Sequence, residues 1–308
     1  MVCELDEVKV SPVGCRRWIR RPPADTAWSQ NSGREPARTT VGPIHPELRP
    51  RRHYLPSMIH PVLLHGFTGR AASWGDALLD DLASRVGPPV LVDLPGHGSR
   101  VGETDPEDFT LERAWELIDE ALPEPAPLLG YSMGGRLALS YAVEHPERVS
   151  ALVLESASPG LLTAEERAQR RTADEELARR LEQDGIEAFV DTWEGLPLFS
   201  SRKALPDEVW ARERALRLAN DPHSLASSLR GLGTGALPSY WEALGELGLP
   251  VLLVVGALDV KFRAIAGHMA DRLPRARQVV VPEAGHTVHL ERPGAWVDAV
   301  GRFLDGVV

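Results

Sequence analysis

Past residue 58 the chain alternates between short apolar runs and longer stretches in which apolar residues recur every three or four positions. The runs at 61–64, 89–92, 126–130, 151–154, 250–255 and 278–281 are bounded by glycine, proline or charge. Unbroken hydrophobicity of that length predicts strands buried on both faces of a parallel sheet. Helical periodicity occupies 71–85, 111–121, 135–144, 262–272 and 294–305. Strand and helix taking turns in this way make βαβ units, so the predicted architecture is α/β, with one mostly parallel, doubly wound sheet. The alternation breaks once. Residues 160–241 carry helical patterns only, opened by Thr163-Ala164-Glu165-Glu166, where threonine and the glutamate three residues on can satisfy each other's backbone amides. An insertion of that size is expected to form a helical lid over the C-terminal edge of the sheet, where open α/β folds bind ligands. The alternative is a helical bundle that only pads the fold.

Composition divides the chain in two. Of 308 residues with a formal charge of −10, residues 1–57 hold ten Lys/Arg, six Asp/Glu and eight prolines, whereas the rest holds 24 Lys/Arg against 38 Asp/Glu. The first part is expected to be a disordered, basic, Pro/Arg-rich tail, and 58–308 the folded domain, with Met58 a second candidate start. The tail is too short and too interrupted by acids to argue for nucleic-acid or membrane binding. With no apolar segment of membrane-spanning length and no secretory signal, the expected location is the cytoplasm. Both cysteines, Cys3 and Cys15, lie in the tail, which excludes a thiol mechanism in the body, and the histidines show no zinc-site spacing. Nothing in the pattern fixes an oligomeric state.

Candidate chemistry centres on Gly130-Tyr131-Ser132-Met133-Gly134-Gly135, which ends one apolar run and opens a helical pattern. Glycines on either side of a serine allow the sharp strand-to-helix turn that lifts its hydroxyl above a sheet. A hydroxyl is inert until a neighbour accepts its proton, so a carboxylate and a histidine are needed downstream. Asp259, after 250–255, and His286, after 278–281, have the required order, each just past an expected strand. His289 is expected to be structural, and His97, in Leu94-Pro95-Gly96-His97-Gly98, a loop hydrogen-bonder. Leu64-His65-Gly66-Phe67-Thr68-Gly69 follows the first strand and is the expected oxyanion loop, the Phe67 and Met133 amides being the donors.

A simple esterase does not account for the cations. Arg136 lies one turn into the helix after Ser132, where a guanidinium is costly to bury unless it meets an anion. Lys261, one of three lysines in the chain, stands two residues after Asp259; Arg170 and Arg217 lie in the insertion with Trp193 and Phe199. Cations gathered around the pocket of an acidic body predict a small polycarboxylate substrate.

From His65-Gly66, the 94–98 loop, the serine turn and Gly285-His286, the body resembles the α/β-hydrolase superfamily. Within it, Gly-Tyr-Ser-Met-Gly-Gly-Arg at 130–136, Asp-Val-Lys-Phe at 259–262, Trp193 with Leu-Pro-Leu-Phe at 196–199, and Gly-His-Thr-Val-His-Leu-Glu-Arg-Pro at 285–293 are similar to the 2-succinyl-6-hydroxy-2,4-cyclohexadiene-1-carboxylate synthase family of menaquinone (vitamin K2) biosynthesis. The resemblance implies an α/β-hydrolase fold and a lyase that eliminates pyruvate from an enolpyruvyl cyclohexene, with no metal or organic cofactor. It implies that Ser132, Asp259 and His286 act as a base, and that Arg136, Arg170, Arg217 and Lys261 hold carboxylates. Tyr131, Trp193 and Phe199 would pack the ring. A hydrolase of esters or C–C bonds is the alternative that one triad on this fold leaves open. Strands that the superfamily places before the oxyanion loop would have to come from the tail or be missing.

Overall fold

The apolar runs form six parallel strands: β1 (Val62–Leu64), β2 (Val90–Val92), β3 (Ala126–Tyr131), β4 (Val149–Glu155), β5 (Val251–Gly256) and β6 (Ala276–Val281). This computed structural model describes residues 60–122 and 124–307; the tail expected at 1–57 and Met58 lie outside the described residues. The strand order is β2-β1-β3-β4-β5-β6, with Leu64 opposite both Val92 and Gly130. After β1 the chain moves outward to β2 and then returns to the other side of β1. The C-terminal ends of β1 and β3 therefore border the point where the winding reverses, which is the ligand-binding crevice of open α/β sheets. No strand precedes β1 among the described residues.

Neighbouring strand residues point to opposite faces, and the core divides accordingly. Leu64, Leu128, Leu152, Leu154, Leu253 and Val255 pack on one face with residues of α2 (Leu111–Ala121), α3 (Met133–Glu144) and α7 (Val260–Ala270). Leu63, Leu129, Val153, Leu252 and Val254 pack on the other with α1 (Asp76–Val86) and α9 (Pro293–Leu304). Burial on both faces holds for β4 and β5 but not for the edges: β6 is largely half-buried or exposed, with Val280 at 40%. An edge strand has a strand neighbour on one side only, which leaves its outer flank to solvent, and apolar content cannot reveal that.

Two helices depart from their expected form. The pattern at 71–85 is a 3-10 turn, Ala71–Trp74, followed by α1, because Gly75 at φ 75° breaks the helical path and the Arg70 amide donates to Ser73 Oγ at 3.1 Å. The pattern expected to begin at Gly135 begins at Met133, directly after Ser132.

Between β4 and β5 lie α4 (Ala164–Glu194), a 3-10 segment Pro197–Ala204, α5 (Asp207–Leu218) and α6 (Pro222–Leu232), with no strand among the described residues. The Thr163 hydroxyl accepts from Glu166 N at 3.1 Å while Glu166 Oε2 accepts from Thr163 N at 2.9 Å, the reciprocal cap expected from the sequence. α4 bends at Gly185, whose φ is 80°. This insertion has its own apolar cluster, Ala178, Leu181, Phe189, Val190, Leu225, Ala226 and Leu229. The four-residue α8 (Val288–Glu291) completes the set.

Candidate active site

The serine turn is fixed by two close approaches of backbone to backbone. A Cβ on Gly130 would lie 2.4 Å from the Gly134 carbonyl oxygen, and one on Gly134 would lie 2.4 Å from the Leu64 oxygen. Ser132 itself is held at φ 50°, a left-handed conformation that L-residues adopt only when surroundings impose it. Here the Ser132 amide donates to Glu155 O on β4 at 2.9 Å. Gly134→Ala is expected to destabilise the fold by about 3 kcal/mol, since backbone rather than a mobile side chain must give way; urea unfolding measures it.

The chain ends of β3, β5 and β6 bring three distant residues together. Ser132 Oγ lies 3.1 Å from His286 Nε2, and His286 Nδ1 lies 2.7 Å from Asp259 Oδ2. Asp259 Oδ1 accepts the Phe262 amide at 3.1 Å, so the carboxylate is oriented by the start of α7. With His286 and Asp259 buried, the imidazole donates to the carboxylate through Nδ1, which leaves Nε2 free to accept the serine proton. Two backbone amides fix the histidine loop: Gly285 N donates to Glu291 Oε2 at 2.7 Å and Thr287 N to Glu291 Oε1 at 3.2 Å. His289 takes no part in this relay; its Nδ1 donates to buried Glu155 at 2.9 Å.

The loop expected to carry the oxyanion donor Phe67 is held by two buried histidines. His65 Nε2 accepts from Leu94 N at 3.0 Å, and His97 Nε2 accepts from Thr68 N at 3.2 Å. Their Nδ1 atoms bond to the Gly66 and Pro95 carbonyls, both at 2.8 Å. These contacts require neutral rings, and burial pushes His65 down to about 4 and His97 down to about 3, with the charge of His65 opposing that of His97. The unfolded chain takes up these two protons below its ordinary value of 6.5, whereas the folded chain resists. Stability should be complete above that value and fall as the pH drops from 6.5 towards 4, by roughly 1.4 kcal/mol per pH unit for each histidine. Urea-unfolding midpoints across that range test this, and in His97→Gln the slope should be roughly halved.

Around the triad the aromatic side chains form a continuous wall. Phe67 meets Trp193 at 5.4 Å between ring centroids, Trp193 meets Phe199 at 5.6 Å, Phe199 meets His286 at 5.9 Å, and Phe262 lies 4.6 Å from His286. Lys261 Nζ stands 5.9 Å from the Phe262 ring. Tyr131 lies 5.5 Å from His286 with the rings tilted, and burial pushes its phenol up to about 12, so it is a neutral hydrogen-bonding group.

The expected cations differ in how their charge is met. Arg170 donates to buried Asp174 Oδ1 at 2.8 Å. Arg136 is brought down to about 10, first by burial and then by the charge of Arg170, with Asp174 opposing; its buried Nε has no hydrogen-bond partner among the described residues. It remains a cation at neutral pH. Arg217 is buried and matched by two carboxylates, Glu194 at 2.9 Å and Glu213 at 3.6 Å. Sequence reasoning missed two residues. Arg202 is buried and donates through Nε and Nη2 to Thr287 Oγ1, and Asn220 Nδ2 donates to Thr68 O at 2.9 Å. Nothing in the local pattern separated either from a solvated polar residue in a helical segment.

The family model described as the alpha/beta hydrolase fold matches residues 62–293. The chain is 44% identical over 252 residues to a Bacillus subtilis (strain 168) protein named "Putative 2-succinyl-6-hydroxy-2,4-cyclohexadiene-1-carboxylate synthase", covering 80% of this chain and 90% of that protein. The chain belongs to this synthase family, within the α/β-hydrolase fold. A second member of the synthase family, from Pectobacterium atrosepticum, is 32% identical over 79% of this chain and 92% of its own. The solved structure titled "Structure of MenH from S. aureus" superposes with a TM-score of 0.76 at 35% identity, covering 80% of this chain and 94% of that one. Thus the fold and family expected from the serine turn, the Gly-His segment and the 259–262 motif are those found. Among the described residues no helix is long and apolar enough to cross a membrane, and no cluster of three or more His, Cys, Asp or Glu could hold a metal ion.

Proposed function

We propose that the chain eliminates pyruvate from 2-succinyl-5-enolpyruvyl-6-hydroxy-3-cyclohexene-1-carboxylate in menaquinone biosynthesis, as a cytoplasmic enzyme needing no metal or organic cofactor. The observation that carries this reading is an assembled triad flanked by Arg136, a half-buried cation with a buried, unsatisfied nitrogen, in a chain of the synthase family.

His286, oriented by Asp259, accepts the Ser132 proton, and the serine oxygen removes the ring proton next to the succinyl carbonyl. The electron pair left on that carbon spreads onto the carbonyl oxygen, where the Phe67 and Met133 amides hold the developing charge. Met133 suits this role because it opens α3, whose first amides have no partner within the helix. As the carbonyl re-forms, the ring double bond shifts and the bond to the enolpyruvyl oxygen breaks. The departing enolate takes up a proton and tautomerises to pyruvate, so no acyl-enzyme forms. Arg136, Arg170 and Lys261 hold the carboxylates of this small polycarboxylate. Arg217, ion-paired with Glu194 and Glu213, shapes the pocket beside them. Tyr131, Trp193 and Phe199 enclose the ring.

The test is to supply the enolpyruvyl compound and, separately, short p-nitrophenyl esters. Rapid pyruvate release with negligible ester turnover is the expected result. Ester hydrolysis without pyruvate release would overturn the lyase in favour of a hydrolase.

A further inference from the structure

Two loops must keep their shape for this chemistry: 65–70, which carries Phe67, and 285–287, which carries His286. Each is contacted by the same stretch of the insertion, the 3-10 segment Pro197–Ala204 and α5 with the residues that follow it. We infer that Arg202 and Asn220 are positioning residues, through which the helical insertion fixes the histidine loop and the oxyanion loop at once.

At the histidine loop, Arg202 Nε donates to Thr287 Oγ1 at 2.9 Å, its Nη2 donates to the same oxygen, and Nη2 also reaches Tyr131 OH at 3.4 Å. The Tyr131 and Thr287 hydroxyl groups lie 2.9 Å apart, so a single guanidinium ties together the residues next to Ser132 and next to His286. Its Cζ lies 4.2 Å from the centroid of the Phe199 ring, and it makes no ion pair with a carboxylate among the described residues. A buried cation without an ion-pair partner is expensive to maintain; here Nε and Nη2 hold the loop, while the buried Nη1 has no hydrogen-bond partner among the described residues. The approach is close: a Cβ on Gly285 would lie 1.9 Å from Ser201 Oγ, which is why glycine precedes His286.

At the oxyanion loop, Asn220 Nδ2 donates to Thr68 O at 2.9 Å and to Arg217 O at 3.0 Å, while its Oδ1 accepts from Arg70 Nη2 at 3.2 Å. Thr68 sits at φ 67°, directly after Phe67. A β-branched residue keeps that conformation only where partners impose it, and the Asn220 amide together with His97 imposes it. Arg212 on α5 adds a bond to the Ala72 carbonyl. Because Phe199, Arg202, Arg217 and Asn220 belong to one short stretch, the pocket wall and the geometry of the reacting groups are built by the same body.

This inference rests on the proposed use of the triad, and its test works whatever the natural substrate. A fluorophosphonate reacts covalently with an activated serine and places its phosphoryl oxygen in the oxyanion hole. Arg202→Met and Asn220→Ala should each label at Ser132 on the order of 10- to 100-fold more slowly than the parent, as expected when reacting groups are displaced by a fraction of an ångström to about 1 Å. Arg202→Lys, which can still donate to Thr287, should recover part of the rate. In pyruvate release the same variants should lose kcat with KM within about threefold. Should the larger changes prevent folding, Thr287→Val, which keeps the shape and removes the acceptor, decides the first half, and Asn220→Ser the second. Folded variants that label at the parent rate, or that raise KM with kcat unchanged, would overturn the inference. A parent enzyme that labels rapidly but releases no pyruvate would overturn the lyase reading alone.

Discussion

Ser132→Ala is expected to lower kcat for pyruvate release by about 10³-fold, within the 10²–10⁴ that a positioned proton-transfer group supplies. The serine oxygen is the atom that meets the ring proton, and without it His286 Nε2 stands about one hydrogen-bond length too far back, given the 3.1 Å between Oγ and Nε2. His286→Ala should cost at least as much, because it leaves the hydroxyl with no acceptor. The double variant should lose little more than either single one, since residues that act as a unit are not additive. Progress curves in the presence of the enolpyruvyl compound measure all three. Intact-protein mass spectrometry of the parent during turnover should show no covalent adduct. An accumulating acyl-enzyme would contradict elimination.

Arg136→Ala should raise KM for the polycarboxylate by roughly 100-fold, corresponding to about 3 kcal/mol for a lost charge-assisted hydrogen bond to a carboxylate. The size follows from where Arg136 sits. It is a cation at neutral pH although half-buried, it faces the like charge of Arg170, and the nearby Asp174 bonds Arg170 through Oδ1 and makes no hydrogen bond with Arg136. Its buried Nε has no hydrogen-bond partner among the described residues, and an incoming carboxylate would provide one. Fluorophosphonate labelling of the variant should stay within a few-fold of the parent rate, because a neutral reagent gains nothing from the guanidinium. Arg136→Lys should recover only part of the affinity, since an ammonium lacks the planar fork. Equal losses for charged substrate and neutral probe would count against this role.

The parts of the molecule that were legible in the sequence are those in which one local rule decides the outcome. The continuous apolar runs placed all six strands, most firmly at β4 and β5, where residues such as Leu152 and Leu253 are covered on both faces of the sheet. The serine turn was legible because Gly130 and Gly134 are forced by backbone contacts that admit no side chain. Asp259 and His286 followed from chain order and from their places past strand ends. Less legible were features that depend on what arrives from elsewhere in the chain. Whether Arg217 meets a substrate or a protein carboxylate depends on Glu194, more than twenty residues away. Arg202 and Asn220 read as surface polar residues of a helical segment, and only the docking of that segment on Thr287 and Thr68 gives them a role. Gly75 and Gly185 interrupt patterns that continue in hydrophobic period, so the breaks in the helices were invisible to periodicity.

The separate apolar cluster of the insertion also bears on how the native protein fluctuates. Seven buried residues from α4 and α6 hold that cluster together, whereas the sheet is clamped between two larger ones. The free energy needed to expose backbone amides to deuterium scales with the apolar contacts that must be broken. Amides of α4 and α6 should therefore exchange as one cooperative group, ahead of those in β4 and β5, and the loops at Thr68 and Thr287 should gain and lose protection with that group rather than with the strands that carry them.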